Sequence, residues 1–570
     1  MCIRDRARSG PPRASAFVAE LTRLLRGQGP ALALPLSWIE QWLSEIGLTT
    51  EQLVQSESQL QAQDQVSISN TISSLRSLAS FNWRDFVEDH SSVEQILRDD
   101  PSAVYKQMDF ATRDHYRHVV EKLAKNTHLS ESEVARQAVR LAVAAARQEG
   151  QDERNHVGYY LVDKGFSQLE KTVEVHLSFF DYIRRVLKSY PQFVYFGSIS
   201  VITVAIATLS IWRYHSKVEL SGSAWFAISL ALLFVVSQFS VSLINWLSTL
   251  FAKAYPLPKM DYSKGIPEAD STIVVVPTML TSVSAAEAMV EALEVRYLAN
   301  QDDNVYFALL TDFADSPIEI QKDDAELVQL LRKRVEELNQ KYGDGKDVFY
   351  LFHRSRLWNA SDHIWMGHER KRGKLGDLNC LLSGGKNKFS VVEGDITNLA
   401  KVRYVITLDA DTQLPLEAAR QFVGAIAHPL NRARFDSAKQ RVVEGYGILQ
   451  PRVDISLSPL THRSPYARLY GSGIGIDPYT RTVSDVYQDL FHEGSFIGKG
   501  IYEIAAFENC LRDRFCENQI LSHDLLEGCY VRSGLLSDAQ LYEEHPSSYS
   551  FDEMCIRDRS PGLCYARQLA

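Results

Sequence analysis

Two carboxylates one residue apart close a short apolar run, and this pair is the strongest chemical signal in the chain. Residues 402–415 read Val-Arg-Tyr-Val-Ile-Thr-Leu-Asp-Ala-Asp-Thr-Gln-Leu-Pro. Such a run, ended by Asp409 and Asp411, predicts a buried strand that stops at the ligand-binding edge of an open α/β sheet. An Asp-x-Asp pair there can bind Mg²⁺ or Mn²⁺ while a diphosphate supplies further oxygens. Taken alone, however, the pair more often caps a helix or decorates a turn, so the neighbouring segments must decide.

Three further strands are predicted to meet at the same edge. We expect Pro277 to stop the first one, and a capping box from Ser284 to Glu287 to open the helix that follows. The second strand ends at Asp312, and the third leads into a basic segment. Strands that alternate with helices predict a parallel sheet with one ligand-binding edge. The three runs are 271–278, 304–311 and 348–352.

A fifth segment offers a general base. Residues 519–528 read Gln-Ile-Leu-Ser-His-Asp-Leu-Leu-Glu-Gly, and Asp524 could accept the proton of an acceptor hydroxyl if the fold brings it near a diphosphate. A helix N-cap or a local salt bridge is an equally good interpretation of Asp524. For Glu527, one turn further along, a structural role is favoured.

Several ordered segments between residues 100 and 553 resemble the cyclic β-1,2-glucan synthase family. This family is a branch of the processive inverting glycosyltransferases related to cellulose synthase. The segments that carry the resemblance are 108–118, 310–315, 369–379, 407–415, 484–491, 494–502 and 522–530.

The resemblance implies a fold, a donor and roles for particular residues. It implies a nucleotide-binding α/β domain of the GT-A type that takes UDP-glucose, a β-glucan acceptor and a divalent cation, Mg²⁺ or Mn²⁺. One base suffices for the single in-line displacement of an inverting enzyme. The implied roles are uridine contact for Asp312, donor binding for Gly373, Lys374 and Asn379, diphosphate and metal binding for Asp409, metal binding for Asp411, and general base for Asp524.

Two regions near these residues keep simpler interpretations. The basic run 370–374 could be a solvated face, although Gly373 and Asn379 favour a loop whose backbone approaches the ligand. Tyrosines crowd residues 466–502, where they could form core or stack on sugar rings. Members of the family build the glucan on the protein itself, and we select Tyr479 as the tyrosine that would carry the first sugar.

Two uncharged runs, at about 193–212 and 224–250, are long enough to span a bilayer and predict a transmembrane hairpin. Lysine and arginine residues outside the runs outnumber those in the connecting loop by a small margin, which places both ends in the cytoplasm. Nucleotide sugars are also made in the cytosol. We therefore expect a multi-pass protein of the bacterial inner membrane whose catalytic domain faces the cytoplasm.

Length and charge frame this organisation. The chain has 570 residues and a net charge of −10, which argues for several domains and against a general nucleic-acid partner. The expected domains are an α-helical cytoplasmic domain at 16–190, the hairpin at 191–252 and the GT-A domain at 265–553. Its seven cysteines form no Cys-x-x-Cys pair and predict no disulfide framework, in keeping with a reducing cytosol.

The hexapeptide Met-Cys-Ile-Arg-Asp-Arg occurs at both 1–6 and 554–559. An identical pair with no similarity around it is not a structural repeat, and one reading frame of a DNA-library adapter encodes it. We interpret residues 1–15 and 554–570 as artefacts, and the natural chain as interrupted after Glu553. The family's Arg/Gln-x-x-Arg-Trp segment has no counterpart after Asp524, so we expect the polypeptide as printed to be inactive.

Two alternatives remain open at the level of sequence. One is a processive synthase of another β-linked polysaccharide, because linkage depends on acceptor geometry that motifs do not encode. The other is a non-catalytic membrane protein that binds nucleotide sugars. The presence of Asp409, Asp411 and Asp524 argues against the second alternative.

Overall fold

A computed structural model of the chain describes residues 15–45, 47–148, 152–175, 185, 187, 189–215, 221–251, 256–455, 486–517, 520 and 523–543. The chain divides into two compact units, residues 1–91 and residues 92–570. The division falls inside the segment 16–190, whose described elements are helices.

The first unit is built from helices around a small apolar core. Thr49 caps the longest helix: its hydroxyl accepts from the backbone N–H of Gln52, whose side chain accepts from the backbone of Thr49. The core consists of Val18, Ala19, Ile39, Leu43 and Leu53. The helices are α1 (Ser15–Leu25), α2 (Ala33–Glu45), α3 (Thr50–Ser80) and α4 (Trp83–His90).

The second unit opens with five helices that pack on a common core. Asp109 and Ser130 cap the two longest of them through their side-chain oxygens, as expected for polar residues at helix starts. Tyr116, Val120 and Ala138 are among the buried residues between them. The helices are α5 (Ser92–Leu97), α6 (Phe110–Ala124), α7 (Glu131–Ala146), α8 (Val157–Val162) and α9 (Phe166–Thr172).

Two apolar helices follow, α10 (Pro191–His215) and α11 (Gly222–Phe251). The most apolar 18-residue stretches of these helices have mean hydropathy 2.0 and 2.2, and only 11% of each stretch is buried. By length and composition both can cross a membrane. The Tyr195 hydroxyl donates to Asn245 Oδ1 at 2.5 Å, which joins the two helices.

The rest of the second unit is a mixed α/β body. Its strands are β1 (Thr272–Leu280), β2 (Val305–Phe313), β3 (Phe349–Arg354), β4 (Leu357–Asn359), β5 (Ile364–Met366), β6 (Val391–Glu393), β7 (Tyr404–Thr407), β8 (Arg434–Asp436), β9 (Arg441–Glu444), β10 (Ile448–Ile455), β11 (Gly500–Glu503) and β12 (Ser533–Glu543). Its helices are α12 (Val283–Ala299), α13 (Asp324–Tyr342), α14 (Arg370–Leu382), α15 (Ala418–Ala427), α16 (Val486–Phe491), α17 (Ile504–Leu511) and α18 (Asp524–Val531).

Eight of these strands form one sheet in the order β12-β10-β11-β7-β1-β2-β3-β6. β1 pairs in parallel with β2 and β7, and β2 with β3, whereas β6 and β11 run against their neighbours. Along β1, Ile273 and Val275 enter one buried cluster while Val274 and Val276 enter the other. Burial on both faces explains why these strands are continuous apolar runs.

The structure corrects two details of the predicted elements. β1 does not stop at Pro277 but continues to Leu280, with Pro277 opposite Leu310 of β2. The cap of α12 is Ser282, whose hydroxyl accepts from the N–H of Ala285, and not Ser284. The predicted strands at 304–311, 348–352 and 402–408 are confirmed as β2, β3 and β7.

Candidate active site

The carboxyl ends of β1, β2, β3 and β7 bring together residues that the sequence predicted separately. β2 ends beside Asp312, β3 ends with Arg354, and Asp409 follows β7. In the ladder, Asp312 lies opposite Met279 of β1 and opposite Arg354. Parallel strands make this edge a natural ligand-binding position.

Asp312 lies in a dense network of opposite charges. Arg354 donates from Nε and Nη2 to the two carboxylate oxygens of Asp312 at 2.8 and 3.0 Å, and Lys374 Nζ lies 3.2 Å from Oδ2. Arg354 also donates to Asp377 at 2.7 Å. The side chains of Asp312, Arg354 and Lys374 are at most 5% exposed. A Cβ at Gly367 would collide with the Asp312 carboxylate, so the backbone closes this site.

The segment that was predicted to be a donor-binding loop is a helix, α14. It begins from left-handed backbone at Glu369 and Arg370, which explains why no ordinary cap residue marks its start. Gly373 is needed for close packing, since a Cβ there would collide with the carbonyl oxygen of His368. Lys374 Nζ donates to the carbonyl oxygen of Thr278 at the end of β1 at 2.7 Å. Burial lowers the pKa of Lys374 despite its contact with Asp312.

Asn379 is fully buried on the same helix. Its Oδ1 accepts from the Tyr502 hydroxyl of β11 at 2.9 Å, and its Nδ2 has no hydrogen-bond partner among the described residues. The contact joins α14 to β11 on the sheet face where α14 packs.

Asp409 is held between two lysines. Lys371 of α14 donates to Asp409 Oδ1 at 2.6 Å, and Lys499 Nζ lies 3.2 Å from Oδ2. Burial would raise the pKa of Asp409, but Lys371 and Lys499 outweigh it and hold that pKa below its ordinary value. Lys499 also contacts Glu543 at the end of β12.

Asp411 lies beside this group in a different electrostatic environment. The residue as a whole is exposed, but its carboxyl group is partly buried. This burial raises the pKa of Asp411, and the negative charges of Glu543 and Asp409 raise it further. One carboxylate oxygen each from Asp409, Asp411 and Glu543 lies within 4.8 Å of the others. Hard-cation sites are built from such oxygens, so these residues fit a divalent metal ion.

The loop that carries the two aspartates is tied to α12. Arg296 Nη2 donates to the carbonyl oxygens of Ala410 and Thr412, each at 2.8 Å, and Nε donates to Thr412 at 3.1 Å. Burial lowers the pKa of Arg296 to about 10. The backbone of the loop is therefore held independently of any bound metal.

Asp524 begins α18 and faces the same edge. A Cβ at Gly498 would lie 2.7 Å from Asp524 Oδ1, so the carboxylate rests against the Gly498 backbone, which has φ +81°. The carbonyl oxygen of Gly498 accepts from Lys371 at 2.7 Å. Lys371 thus contacts both Asp409 and the residue against which Asp524 packs.

Comparison with known proteins relates the chain to a glucan synthase. No family model matches it. Over 542 residues, 94% of this chain, the sequence is 37% identical to the cyclic β-(1,2)-glucan synthase NdvB of Rhizobium meliloti (strain 1021). The chain belongs to the cyclic β-1,2-glucan synthase family. It spans 19% of the length of that relative.

Two residues of the candidate site, Lys499 and Glu543, were not predicted from the sequence. Lys499 directly precedes β11. It lies in segment 494–502, which carries part of the family resemblance and is the sequence signal that could have identified it. Glu543 lies near Asp409 and Asp411 through the position of β12, and no local sequence signal marks it. Tyr479 lies outside the described residues, so its predicted role as sugar carrier stays a prediction.

Proposed function

We propose that this chain binds UDP-glucose and transfers glucose, with inversion, to a growing β-1,2-glucan. The observation that carries the proposal is the arrangement around α14, in a chain 37% identical to a cyclic β-(1,2)-glucan synthase. Lys374 contacts Asp312, and Lys371 contacts Asp409, which lies beside Asp411. Lys371 also donates to Gly498, against which Asp524 packs. The α/β body would be a GT-A domain. Its apolar helices α10 and α11 would anchor it in the bacterial inner membrane with the site facing the cytoplasm.

In this proposal the first acid and α14 hold the donor. Asp312 would contact the uridine, in a position fixed by Arg354 and Lys374. Gly373 and Asn379 would shape the donor-binding side of α14. A rigid charged network suits this role because the donor must be held in one orientation while the acceptor approaches.

Asp409, Asp411 and Glu543 would hold the divalent cation, Mg²⁺ or Mn²⁺. When bound, the cation would neutralise charge on the leaving diphosphate. Lys371 and Lys499 place two further positive charges beside Asp409, where they would stabilise the same developing charge.

Asp524 would act as the base. As an acceptor hydroxyl oxygen bonds to the anomeric carbon, its proton passes to Asp524 and the bond from that carbon to the phosphate oxygen breaks. UDP leaves with the electron pair. One carboxylate is sufficient, because inversion needs one displacement and no enzyme nucleophile.

Binding is tested with the full chain in lipid nanodiscs. We expect UDP-glucose to bind in the presence of Mn²⁺ and binding to weaken strongly in Asp409→Asn, measured by isothermal titration calorimetry. The absence of any metal-dependent binding would overturn the proposal.

Transfer is tested in a chimera in which this chain replaces the matching segment of the full-length Rhizobium meliloti relative. Labelled UDP-glucose should yield β-1,2-linked glucan, and Asp524→Asn should reduce the rate by about 10²–10⁴-fold, the usual size of a general-base contribution. Asp513→Asn, an exposed acid in left-handed backbone that asparagine tolerates, is the matched control. Another linkage would assign a different product, and metal-dependent binding without transfer would leave a nucleotide-sugar-binding protein.

A further inference from the structure

The ammonium group of Lys499 lies among the acids that fit a divalent cation. These acids, Asp409, Asp411 and Glu543, are called the acid triad below. Nζ of Lys499 is 3.2 Å from Oδ2 of Asp409 and also contacts Oε1 of Glu543. The lysine side chain is only 8% exposed. One buried lysine therefore binds oxygens of two of the three acids.

The sheet fixes the backbone that carries Lys499. Gly500, the next residue, pairs with Thr407 of β7, so the lysine lies beside the loop that follows β7. Gly498 and Gly500 have φ +81° and +143°, conformations that residues with a side chain disfavour. A Cβ at Gly500 would also collide with the carbonyl oxygen of Leu449. The position of the ammonium is therefore specified by the fold.

The acid triad is held in place by contacts other than those of Lys499. Arg296 donates to carbonyl oxygens of the loop that carries the first two acids. The N–H of Gln413 in this loop donates to the carbonyl oxygen of Tyr542 at 2.8 Å, which places Glu543, the next residue, beside the loop. We therefore expect the three acids to stay in position when the ammonium is removed.

Lys499 and a divalent cation compete for the same oxygens. A cation bound to an oxygen that also accepts from the ammonium lies at most about 5 Å from Nζ, the sum of a metal–oxygen and an ammonium–oxygen distance. Two positive charges this close in a partly buried site repel each other strongly. Among the ion pairs of the described residues, Lys371 reaches one acid of the triad and Lys499 reaches two. Lys499 is therefore the stronger competitor.

We propose that Lys499 exchanges its partners when the nucleotide binds. Its ammonium leaves the acid triad for the diphosphate, and the oxygens that it releases become available to the cation. The diphosphate supplies negative charge in place of the acids, so one favourable ion pair replaces another. The exchange makes nucleotide and cation favour each other's binding. The inference rests on the proposed function, in which Asp409 binds both the cation and the diphosphate.

The first test is Mn²⁺ binding without nucleotide, by the full chain in nanodiscs of zwitterionic lipid. Loss of the EPR signal of free Mn²⁺ measures it. Lys499→Met should tighten binding by about tenfold or more, the effect that one neighbouring charge has on a proton equilibrium. Lys371→Met should tighten it less, because Lys371 reaches one acid of the triad. Lys388→Met is the matched control, since Lys388 pairs with Asp377 while largely exposed, and it should change nothing.

The second test is UDP binding in metal-free buffer, followed by ligand-observed NMR. UDP should bind to the unaltered chain, and Lys499→Met should weaken this binding by about tenfold, because a charge-assisted contact with the diphosphate is lost. Exchange of partners thus predicts tighter Mn²⁺ binding and weaker UDP binding in the same variant. A lysine that only holds the acids in place predicts weaker binding of Mn²⁺.

Lys499→Gln, which keeps a polar tip, is the second variant and should show the same two shifts. Thermal unfolding of each sample shows whether the variants fold, and failure of both to fold would mark Lys499 as a structural residue and contradict the exchange. Three binding results would also contradict it: Mn²⁺ binding no tighter than in Lys371→Met, unchanged UDP binding, or no metal-free UDP binding by the unaltered chain.

Metal-dependent binding of UDP-glucose by the unaltered chain separates this inference from the proposed function. If that binding is present while the exchange is contradicted, the inference alone fails. If that binding is absent, the proposed function fails and the inference that rests on it fails too.

Discussion

The two halves of the sheet edge treat their acids differently. At β2 and β3, Asp312 is almost fully buried and both of its oxygens are occupied by Arg354 and Lys374. After β7, Asp409 is partly exposed, Asp411 is exposed, and Glu543 is intermediate. The first half is closed by buried ion pairs. The second half has ion pairs as well, from Lys371 and Lys499 to Asp409 and from Lys499 to Glu543, but it is more accessible and includes the exposed Asp411.

The comparison separates charges whose loss should destabilise the fold from charges whose loss should mainly weaken ligand binding. A buried ion-pair network is strongly destabilised by loss of one partner, because the other charge is left unpaired. An exposed acid with spare coordination contributes little to stability but can bind a cation. Substitutions in the two halves should therefore fail by different measures.

The largest effect is expected in the buried half. Arg354→Met leaves Asp312 and Asp377 without their shared partner, and we expect the unfolding free energy to fall by about 3–5 kcal/mol. Thermal and denaturant unfolding of the full chain measure this. Arg332→Met is the control, because Arg332 pairs with Glu393 while half exposed and should change stability by less than about 1 kcal/mol. Equal losses in the two variants would erase the distinction between the halves.

A smaller effect, confined to catalysis, is expected at Gly498. Gly498→Ala places a Cβ 2.7 Å from Asp524 Oδ1 at φ +81°, and a displaced base of this kind lowers the transfer rate by about tenfold or more. Binding of UDP-glucose should persist. Gly376→Ala is the matched change, since a Cβ there meets nothing within 4 Å. An unchanged transfer rate in Gly498→Ala would show that Gly498 does not position Asp524.

Asp411→Asn tests the second, more exposed half of the sheet edge. Removal of one charged ligand should weaken Mn²⁺ binding by about tenfold or more, while stability stays within about 0.5 kcal/mol. Calorimetric titration and thermal unfolding of the same samples give both numbers. The exposed Asp303→Asn should alter neither, and a large stability loss in Asp411→Asn would contradict its place in the open half.

The smallest effect concerns pH. Partial burial, Glu543 and Asp409 raise the pKa of Asp411. Mn²⁺ affinity should therefore be full above that pKa and fall as acid protonates Asp411, at a higher pH than for an ordinary aspartate. Glu543→Gln removes one negative neighbour, so the acid loss should move to lower pH by less than about one unit. It should also weaken Mn²⁺ binding at neutral pH. Movement of the acid loss to higher pH would show that Glu543 does not act on Asp411.

The sequence could predict the strands of this site but not its full membership. Apolar runs buried on both faces marked β2, β3 and β7, and their polar ends placed Asp312 and Asp409 at one edge. Periodicity carries no information on strand order, so it could not place β11 beside β7 or bring β12 within reach of Asp411. Lys499 and Glu543 arrive through those two strands.

Local reading also failed where the backbone is unusual. Gly373 and Asn379 favoured a loop, whereas the segment is the helix α14, which begins from left-handed backbone at Glu369 and Arg370 in place of a cap. Gly373 was expected to approach a ligand, and in the structure it packs against the carbonyl oxygen of His368. Neither feature is encoded in helix propensity.

Arg296 gives the loop of Asp409 and Asp411 a property that matters for repeated use. Its guanidinium grips the carbonyl oxygens of Ala410 and Thr412, so the loop is assembled when the protein folds and not when a cation arrives. In the proposed transfer reaction, departure of UDP would then leave this loop ready to bind the next donor. The cycle would not include rebuilding this loop, and its timing would be set by other parts of the molecule.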